Sequence, residues 1–311
     1  MLFGLEEERH KGMKSRWLIN IGLLLIVLVT FFYSWTIFQK EPVKSSRFEL
    51  TKLKLSDFNE LKIDFPSKIS THFKMIDNHW VMLSPFEARA DELYVYRILS
   101  LLATSSLEKL SADDLTKYGL DQPNLKITFL GSDLEEVILF GTYNPINEDQ
   151  YVLYKDNVFL ISGGYSETAS FMPVELIDKN PIAKFSKIKS FDFSRLEQWQ
   201  DSRLKLNYTG SNIWSVKGKN LSIIQADVNE WYEMTWKNIP AKSVEPYKMD
   251  ERLGYKSFDI ILNSNQKLTF YRIQESPELL LFRKDEGLLY HFPSDLGFTM
   301  LNPHVQQKEE K

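Results

Sequence analysis

Histidine is the first side chain to examine for chemistry, because it is the commonest metal ligand and titrates near neutral pH. The chain has five histidines, of which His72 and His79 are closest in sequence. No histidine has a second histidine or a carboxylate at the spacing of a His-Glu-x-x-His helix. The histidines therefore predict hydrogen-bonded or surface side chains and no metal site. The other three are His10, His291 and His304.

Carboxylates and thiols are the next candidates. Two carboxylates about 5 to 10 Å apart can hydrolyse a glycoside, but the adjacent acidic pairs lie at or beside predicted turns, where solubility explains them. There is no cysteine, which excludes disulfides, thiolate metal sites and a cysteine nucleophile. We therefore expect no catalytic residue, no enzyme activity and no cofactor. The acidic pairs are Glu135-Glu136, Glu148-Asp149 and Asp285-Glu286.

Aromatic residues crowd the second half of the chain, and tryptophan is enriched at binding hot spots. Trp231 lies on a predicted helical stripe and Trp214 in a predicted strand, so both are expected in a core. Trp236 follows Trp231 by five residues, which in an α-helix places it about 140° from that stripe. Trp236 is therefore the predicted partner contact. Trp199 and Tyr232 complete the aromatic set.

The composition indicates a folded body. Of the 311 residues, 43% are apolar and 14% aromatic, which is enough to build a large core. The formal net charge is -4, without a basic patch, so nucleic acid is not an expected partner.

An uncharged stretch over residues 17–38 predicts a transmembrane helix. At about 1.5 Å per residue it is long enough for a hydrocarbon core of about 30 Å. The stretch ends in bulky residues rather than at a small-residue cleavage site, which favours an uncleaved anchor. We expect residues 1–16 to be a cytoplasmic tail and the body to lie in the periplasm or outside a bacterial inner membrane. The sequence predicts a tether over residues 39–57 and a disordered tail over residues 303–311.

The body is predicted to be α+β, starting near Phe58. Two strands lead to a helix that Asp91 caps, because apolar positions recur after it at helical spacing. Gly119 is expected to close a short helix in the left-handed conformation. Four strands follow as a meander with turns between them.

The same order of elements recurs in the second half, which predicts two units, residues 58–185 and residues 186–302. Trp214 follows Trp80 by 134 residues, and Asp227, the expected cap of a second helix, follows Asp91 by 136. Gly254 follows Gly119 by 135 residues. We therefore expect a duplication of an antiparallel sheet with a packed helix, after a single membrane helix.

The first half resembles the bacterial family called domain of unknown function 4340, over about residues 60 to 180. Tyr118-Gly119-Leu120-Asp121 with Pro123 is the most specific part of this resemblance. The chain is expected to depart from the family pattern beyond about residue 185. The other matching stretches are Trp80 to Pro85, Ala90-Asp91-Glu92, Ile98-Leu99, Leu102, Gly141, Tyr151-Val152 and Val158 to Ser162.

The resemblance implies a single-span protein of the bacterial envelope and brings no catalytic residue. Some similar proteins resemble accessory subunits of transport or motility systems. Two functions follow as expectations. The first is an accessory or scaffolding component of a membrane transport or assembly complex, with envelope proteins as partners. The second is a glycan- or peptide-binding module that uses exposed aromatic residues.

Overall fold

The computed structural model describes residues 17, 20–35, 47–237 and 239–307. The chain divides into two compact units, Met1–Arg47 and Phe48–Lys311. In the first unit, residues 20–35 form helix α1. In the described parts of the chain, no helix has the combined length and apolarity that crossing a membrane requires. The predicted tail 1–16 and parts of the predicted span 17–38 lie outside the described residues.

The second unit, which we call the body, contains two large antiparallel sheets. The first sheet has nine strands, all from the first half of the chain. In sheet order they are β5 (Ala88–Arg89), β4 (His79–Ser84), β3 (Thr71–Ile76), β2 (Glu60–Asp64), β8 (Leu125–Leu130), β9 (Glu135–Tyr143), β10 (Asp149–Tyr154), β11 (Asn157–Ser162) and β7 (Lys109–Ser111).

The second sheet has eight strands, all from the second half. In sheet order they are β14 (Ile213–Lys217), β13 (Lys205–Gly210), β12 (Ile188–Asp192), β17 (Lys256–Leu262), β18 (Lys267–Gln274), β19 (Glu278–Arg283), β20 (Leu288–Pro293) and β16 (Ser243–Pro246).

Helices and short strand pairs complete the body. The α-helices are α2 (Glu92–Leu99), α3 (Gly164–Ala169), α4 (Gln225–Tyr232) and α5 (Ser294–Leu301), and Glu233–Lys237 forms a π-helix. The short strands β1 (Phe48–Glu49) and β6 (Ser105–Ser106) pair, as do β15 (Leu221–Ile223) and β21 (Val305–Gln307). The 3₁₀ turns are Leu55–Asp57, Ser100–Ala103, Thr116–Tyr118, Pro173–Glu175 and Glu197–Trp199. The α+β class is therefore confirmed.

The two sheets share one strand order. The run β4-β3-β2-β8-β9-β10-β11-β7 matches the run β14-β13-β12-β17-β18-β19-β20-β16, and α2 and α4 follow the matching strands β4 and β14. The register agrees as well, because Trp80 pairs with Met75 and Trp214 pairs with Tyr208 in equivalent hairpins. Trp80 and Trp214 are both buried. Equivalent positions in the two halves can therefore be compared residue by residue.

Helix α2 follows its sequence pattern. Val95, Ile98 and Leu99 are buried against the sheet, as the helical spacing predicts. The Asp91 side chain accepts a hydrogen bond from the Leu93 amide at 3.0 Å, which confirms its role as the helix cap.

The predicted cap of the second helix is wrong. Helix α4 begins at Gln225 after Ile224, so Asp227 is its third residue and does not cap it. Instead, the Gln225 side chain bonds both the amide and the carbonyl of Trp214, each at 2.8 Å. Glu92 in the first half accepts from the Trp80 amide at 3.4 Å. In both halves the first helical residue thus bonds the backbone of the tryptophan strand, whereas only α2 also has a carboxylate cap.

The glycine pair also differs between the halves. Gly119 has the expected left-handed backbone, with φ of 64°. Gly254 does not have it, and a Cβ placed there would meet nothing within 4 Å. The connections that contain the two glycines have different lengths, thirteen residues over 112–124 and nine over 247–255. A turn need not be conserved in shape when its length changes.

The body extends beyond both predicted limits. Phe48 lies in β1, Leu50 is buried, and the Thr51 hydroxyl donates to the Leu102 carbonyl at 2.8 Å. The described part of the predicted tether 39–57 therefore joins the core well before Phe58, and its residues 39–46 lie outside the described residues. At the other end, residues 305–307 form β21, so the predicted tail 303–311 is ordered over its described part. In both places a short strand pair supplies hydrogen-bond partners to backbone groups, and the sequence pattern does not predict this pairing.

Candidate functional site

Trp236, the predicted partner contact, is buried with 4% of its surface exposed. The prediction assumed regular α-helical geometry, but residues 233–237 form a π-helix. Hydrogen bonds from i to i+5 widen the turn, so a residue five positions on lies closer to the starting face than it does in an α-helix. Trp236 therefore shares the core face of Trp231, and its ring lies 5.5 Å from that of Phe191.

Three of the four tryptophans of the second half have a shared structural role. Trp231 donates its indole N–H to the Thr299 carbonyl at 2.7 Å, and Trp236 donates to Met300 at 3.1 Å. Trp199 donates to the next carbonyl, Leu301, at 2.9 Å. These are the last residues of α5, whose carbonyls have no partner within the helix. These three tryptophans thus supply hydrogen bonds to the C-terminal end of α5 in the core. No tryptophan of the described body is exposed.

Three of the four histidines of the body each pair with a glutamate. The distances are 3.0 Å for His72 and Glu60, 3.2 Å for His79 and Glu92, and 3.3 Å for His291 and Glu245. Within the described ranges, no group of three potential ligands is placed to hold a metal ion.

Exposed apolar side chains lie at the start of α2 and near it. The Phe185 ring stacks on His79, with centroids 3.8 Å apart, and His79 bonds Glu92, the first residue of the helix. Leu93 is 77% exposed and Tyr96, three residues later, is 44% exposed. We call His79, Leu93, Tyr96 and Phe185 the Leu93 surface. Exposed aliphatic and aromatic residues grouped in this way are typical of protein contacts.

The second half lacks this surface. Leu93 and Tyr96 are the second and fifth residues of α2, and the same positions of α4 hold Ala226 and Asn229. Asn229 accepts from the indole N–H of Trp214 at 2.9 Å. In the first half, Trp80 is buried and its indole N–H has no hydrogen-bond partner among the described residues. Tyr96 thus occupies the place of a stabilising amide.

We expect Tyr96→Asn to raise the free energy of unfolding by about 1 kcal/mol, because it supplies the missing acceptor to Trp80. Urea unfolding followed by circular dichroism measures the change. The mirror variant Asn229→Ala should lower stability, since it removes the acceptor of Trp214. Unchanged or lower stability of Tyr96→Asn would contradict the assigned equivalence.

A partly buried ionic cluster joins the two halves, and we call it the Arg89 cluster. Arg89 on β5 bonds Asp178, the Asn180 carbonyl at 2.5 Å and Glu286 at 2.8 Å. Arg283 bonds the same Glu286 carboxylate at 2.9 Å. The sequence pattern assigned Asp285-Glu286 to turn solubility, but the Glu286 side chain is only 14% exposed.

The neighbouring groups raise the pKa of Arg89 and keep its guanidinium charged. Burial pulls the pKa of Arg89 down, but Glu286, Tyr290 and Asp178 raise it above its ordinary value on balance. Burial and Glu286 raise the pKa of the Tyr290 hydroxyl, which therefore stays protonated and donates to Glu286. A charged group that is desolvated and fully paired supports a fixed arrangement of the two halves rather than proton transfer.

The comparison with known families covers both halves. A family model described as Domain of unknown function (DUF4340) matches residues 80–253, more than half of the chain. The match continues beyond residue 185, through α4 and β16, so the expected departure from the family pattern there was wrong. No curated protein and no solved structure matches the chain. The chain belongs to the family described as Domain of unknown function (DUF4340).

Proposed function

We propose that this protein is a membrane-anchored envelope protein without enzyme activity, which holds a partner protein as an accessory or scaffolding component of a transport or assembly complex. The Leu93 surface is the observation that carries the proposal. Its exposed leucine and rings present apolar area at the start of a helix, and burying such area drives protein association.

The rest of the body suits a scaffold. Two sheets of one strand order, joined by the Arg89 cluster, form a body with a continuous hydrophobic core. We also infer that the halves are copies of one unit, supported by the shared register of Trp80 and Trp214. The second copy keeps the architecture without the Leu93 surface, which fits one copy specialised for a partner.

The anchor in this proposal is the uncharged stretch 17–38. Residues 1–16 would lie in the cytoplasm, and the body would lie in the periplasm or outside. The argument is physical: a stretch of this length without charges matches the thickness of a bilayer, and a long downstream domain translocates largely regardless of its charge.

The tryptophans on which the glycan-binding alternative depends are not exposed. Trp80, Trp199, Trp214, Trp231 and Trp236 are all buried, so no indole face of the described body is open to a sugar. The exposed rings that remain belong largely to scattered surface positions and to the Leu93 surface, which mixes rings with a leucine and suits a protein partner better.

Purification from native membranes tests the proposal. We expect the full-length protein to stay in the membrane pellet after a carbonate wash and to bring a second membrane protein with it in mild detergent. Leu93→Glu should abolish co-purification of this partner, because it places a charge in the apolar contact. Ile69→Glu is the matched control, since Ile69 is 74% exposed and lies outside the Leu93 surface.

Three outcomes would count against the proposal. Release of the protein by carbonate would refute the anchor. The absence of any co-purifying membrane protein would refute the scaffold, and equal loss of the partner with both variants would refute the Leu93 surface.

A further inference from the structure

Exposed apolar side chains lie where the chain enters the body from the predicted anchor. Phe48 of β1 pairs with Ser106 of β6, and Leu107 follows directly. Phe48 is 37% exposed and Leu107 is 62% exposed. The Ser106 hydroxyl accepts a hydrogen bond from the Leu160 amide of β11 at 3.2 Å. The pair of β1 and β6 therefore lies beside the end of β11.

The turn between β9 and β10, residues 144–148, belongs to the same end of the first sheet. Ser162, the last residue of β11, pairs with Asp149, the first residue of β10. The turn just before Asp149 presents Ile146, which is 91% exposed. The Ile146 amide donates to the Asn144 side chain at 3.0 Å, so a hydrogen bond within the turn holds its backbone. An ordered turn therefore exposes Ile146 at the same end of the sheet as Phe48 and Leu107.

The matching turn of the second half has a different character. It joins β18 and β19, which match β9 and β10, and consists of Glu275, Ser276 and Pro277. All three residues are exposed, and none has a large apolar side chain. The second sheet thus forms this turn without an exposed isoleucine, so the fold alone does not account for Ile146.

The length of the linker keeps this end of the body near the membrane. Ten steps along the chain separate residue 38, where the predicted span ends, from Phe48. A chain extends by at most about 3.3 to 3.6 Å per residue, which limits this distance to about 35 Å. Attachment also makes the binding of a second site intramolecular, so contacts that are weak alone become effective.

We propose that Phe48, Leu107 and Ile146, which we call the Ile146 surface, contact the phospholipid surface, with Leu107 and Ile146 at the boundary between head groups and acyl chains. Exposed apolar side chains bind there by burying apolar area. The inference rests on the proposed anchor and goes beyond it, because it assigns the side of the body that faces the membrane. The neighbouring charges have both signs, so apolar burial rather than charge attraction provides the contact. These neighbours are Glu49, Glu108, Lys109 and Glu148.

A fluorescent label on a single cysteine tests this contact, because the chain has no cysteine of its own. Full-length Ile146→Cys labelled with NBD is reconstituted into vesicles of phosphatidylethanolamine and phosphatidylglycerol that contain a doxyl-labelled phospholipid. We expect the doxyl lipid to quench this label at least about twofold more strongly than a control label, since the probe would lie about 5 to 10 Å into the boundary of head groups and acyl chains.

Leu134→Cys with the same label is the matched control. Leu134 is 38% exposed and directly precedes β9, whereas Ile146 lies in the turn that follows β9. At about 3.4 Å per residue, the strand separates the two positions by about 30 Å. Adding Leu107→Glu to the labelled Ile146→Cys protein should lower its quenching to the level of the control. Adding Leu134→Glu should leave the quenching unchanged.

Three results would overturn the inference. Equal quenching of both labels, in protein that floats with the vesicles after a carbonate wash, would refute the lipid contact and leave the anchor intact. Quenching that Leu107→Glu does not lower would refute the Ile146 surface as a unit. Protein that carbonate releases from the vesicles would refute the anchor and this inference together. Circular dichroism establishes that each variant is folded.

Discussion

Arg89→Met should lower the free energy of unfolding of the body by about 3 kcal/mol, because removing one partner of a largely buried ion pair leaves the other charge uncompensated. Asp178 and Glu286 would both lose their Arg89 contact, and the Asn180 carbonyl would lose a donor. Urea unfolding of the full-length protein in detergent, followed by circular dichroism, measures the loss.

Arg252→Met is the control for this prediction. Arg252 also bonds an aspartate, Asp250, but its side chain is 89% exposed, and surface pairs contribute little to stability. We expect its effect to stay within about 0.5 kcal/mol. Equal effects of the two variants would show that the Arg89 cluster does not join the halves.

Trp236→Ala should destabilise the body by about 3 to 5 kcal/mol, the range for truncating a buried tryptophan. The variant loses ring contacts with Phe258 and Phe270 and the hydrogen bond to Met300. Met234→Ala is its control, because Met234 lies on the same π-helix but is 59% exposed. A Trp236→Ala protein within about 0.5 kcal/mol of the wild type would restore the view that Trp236 is a surface residue.

Local patterns predicted local structure well. Helix α2 begins after Asp91 and buries Val95, Ile98 and Leu99, as spacing and capping require. The meander of β8 to β11 and its counterpart in the second half also follow from alternation and turn residues. In these elements neighbouring residues decide the conformation, so a sequence window contains the needed information.

Longer-range features were not predictable in this way. Arg89, Asp178 and Glu286 meet only because β5, the segment between the halves and the β19–β20 turn meet in the fold. Trp236 was misplaced because a π-helix changes the angle between successive side chains. A π-helix has no simple sequence signal, since it depends on what the surrounding core accepts.

The candidate site lies between these cases. Leu93 falls outside the buried stripe of α2, so its exposure could be deduced from the helical pattern alone. Phe185 lies in the segment that joins the halves, and only the fold brings its ring onto His79. The significance of Tyr96 appeared only by comparison with Asn229 in the second half.

A stability cost at Tyr96 fits a role in binding. Surface residues that a partner needs are often not the residues that would stabilise the isolated protein. Asn229 shows that the fold accepts an amide at this position, and the first half nevertheless has an exposed ring there.

The proposed duplication makes the body two copies of one unit, one of them specialised for a partner. A crystal structure of the body, with residues 58–170 superposed on residues 188–302, is the test of this duplication. We predict that the eight matched strands align in the same order, with Trp80 on Trp214 and Glu92 on Gln225. A different strand order in the second half, or a helix start that does not bond Trp214, would contradict the claim.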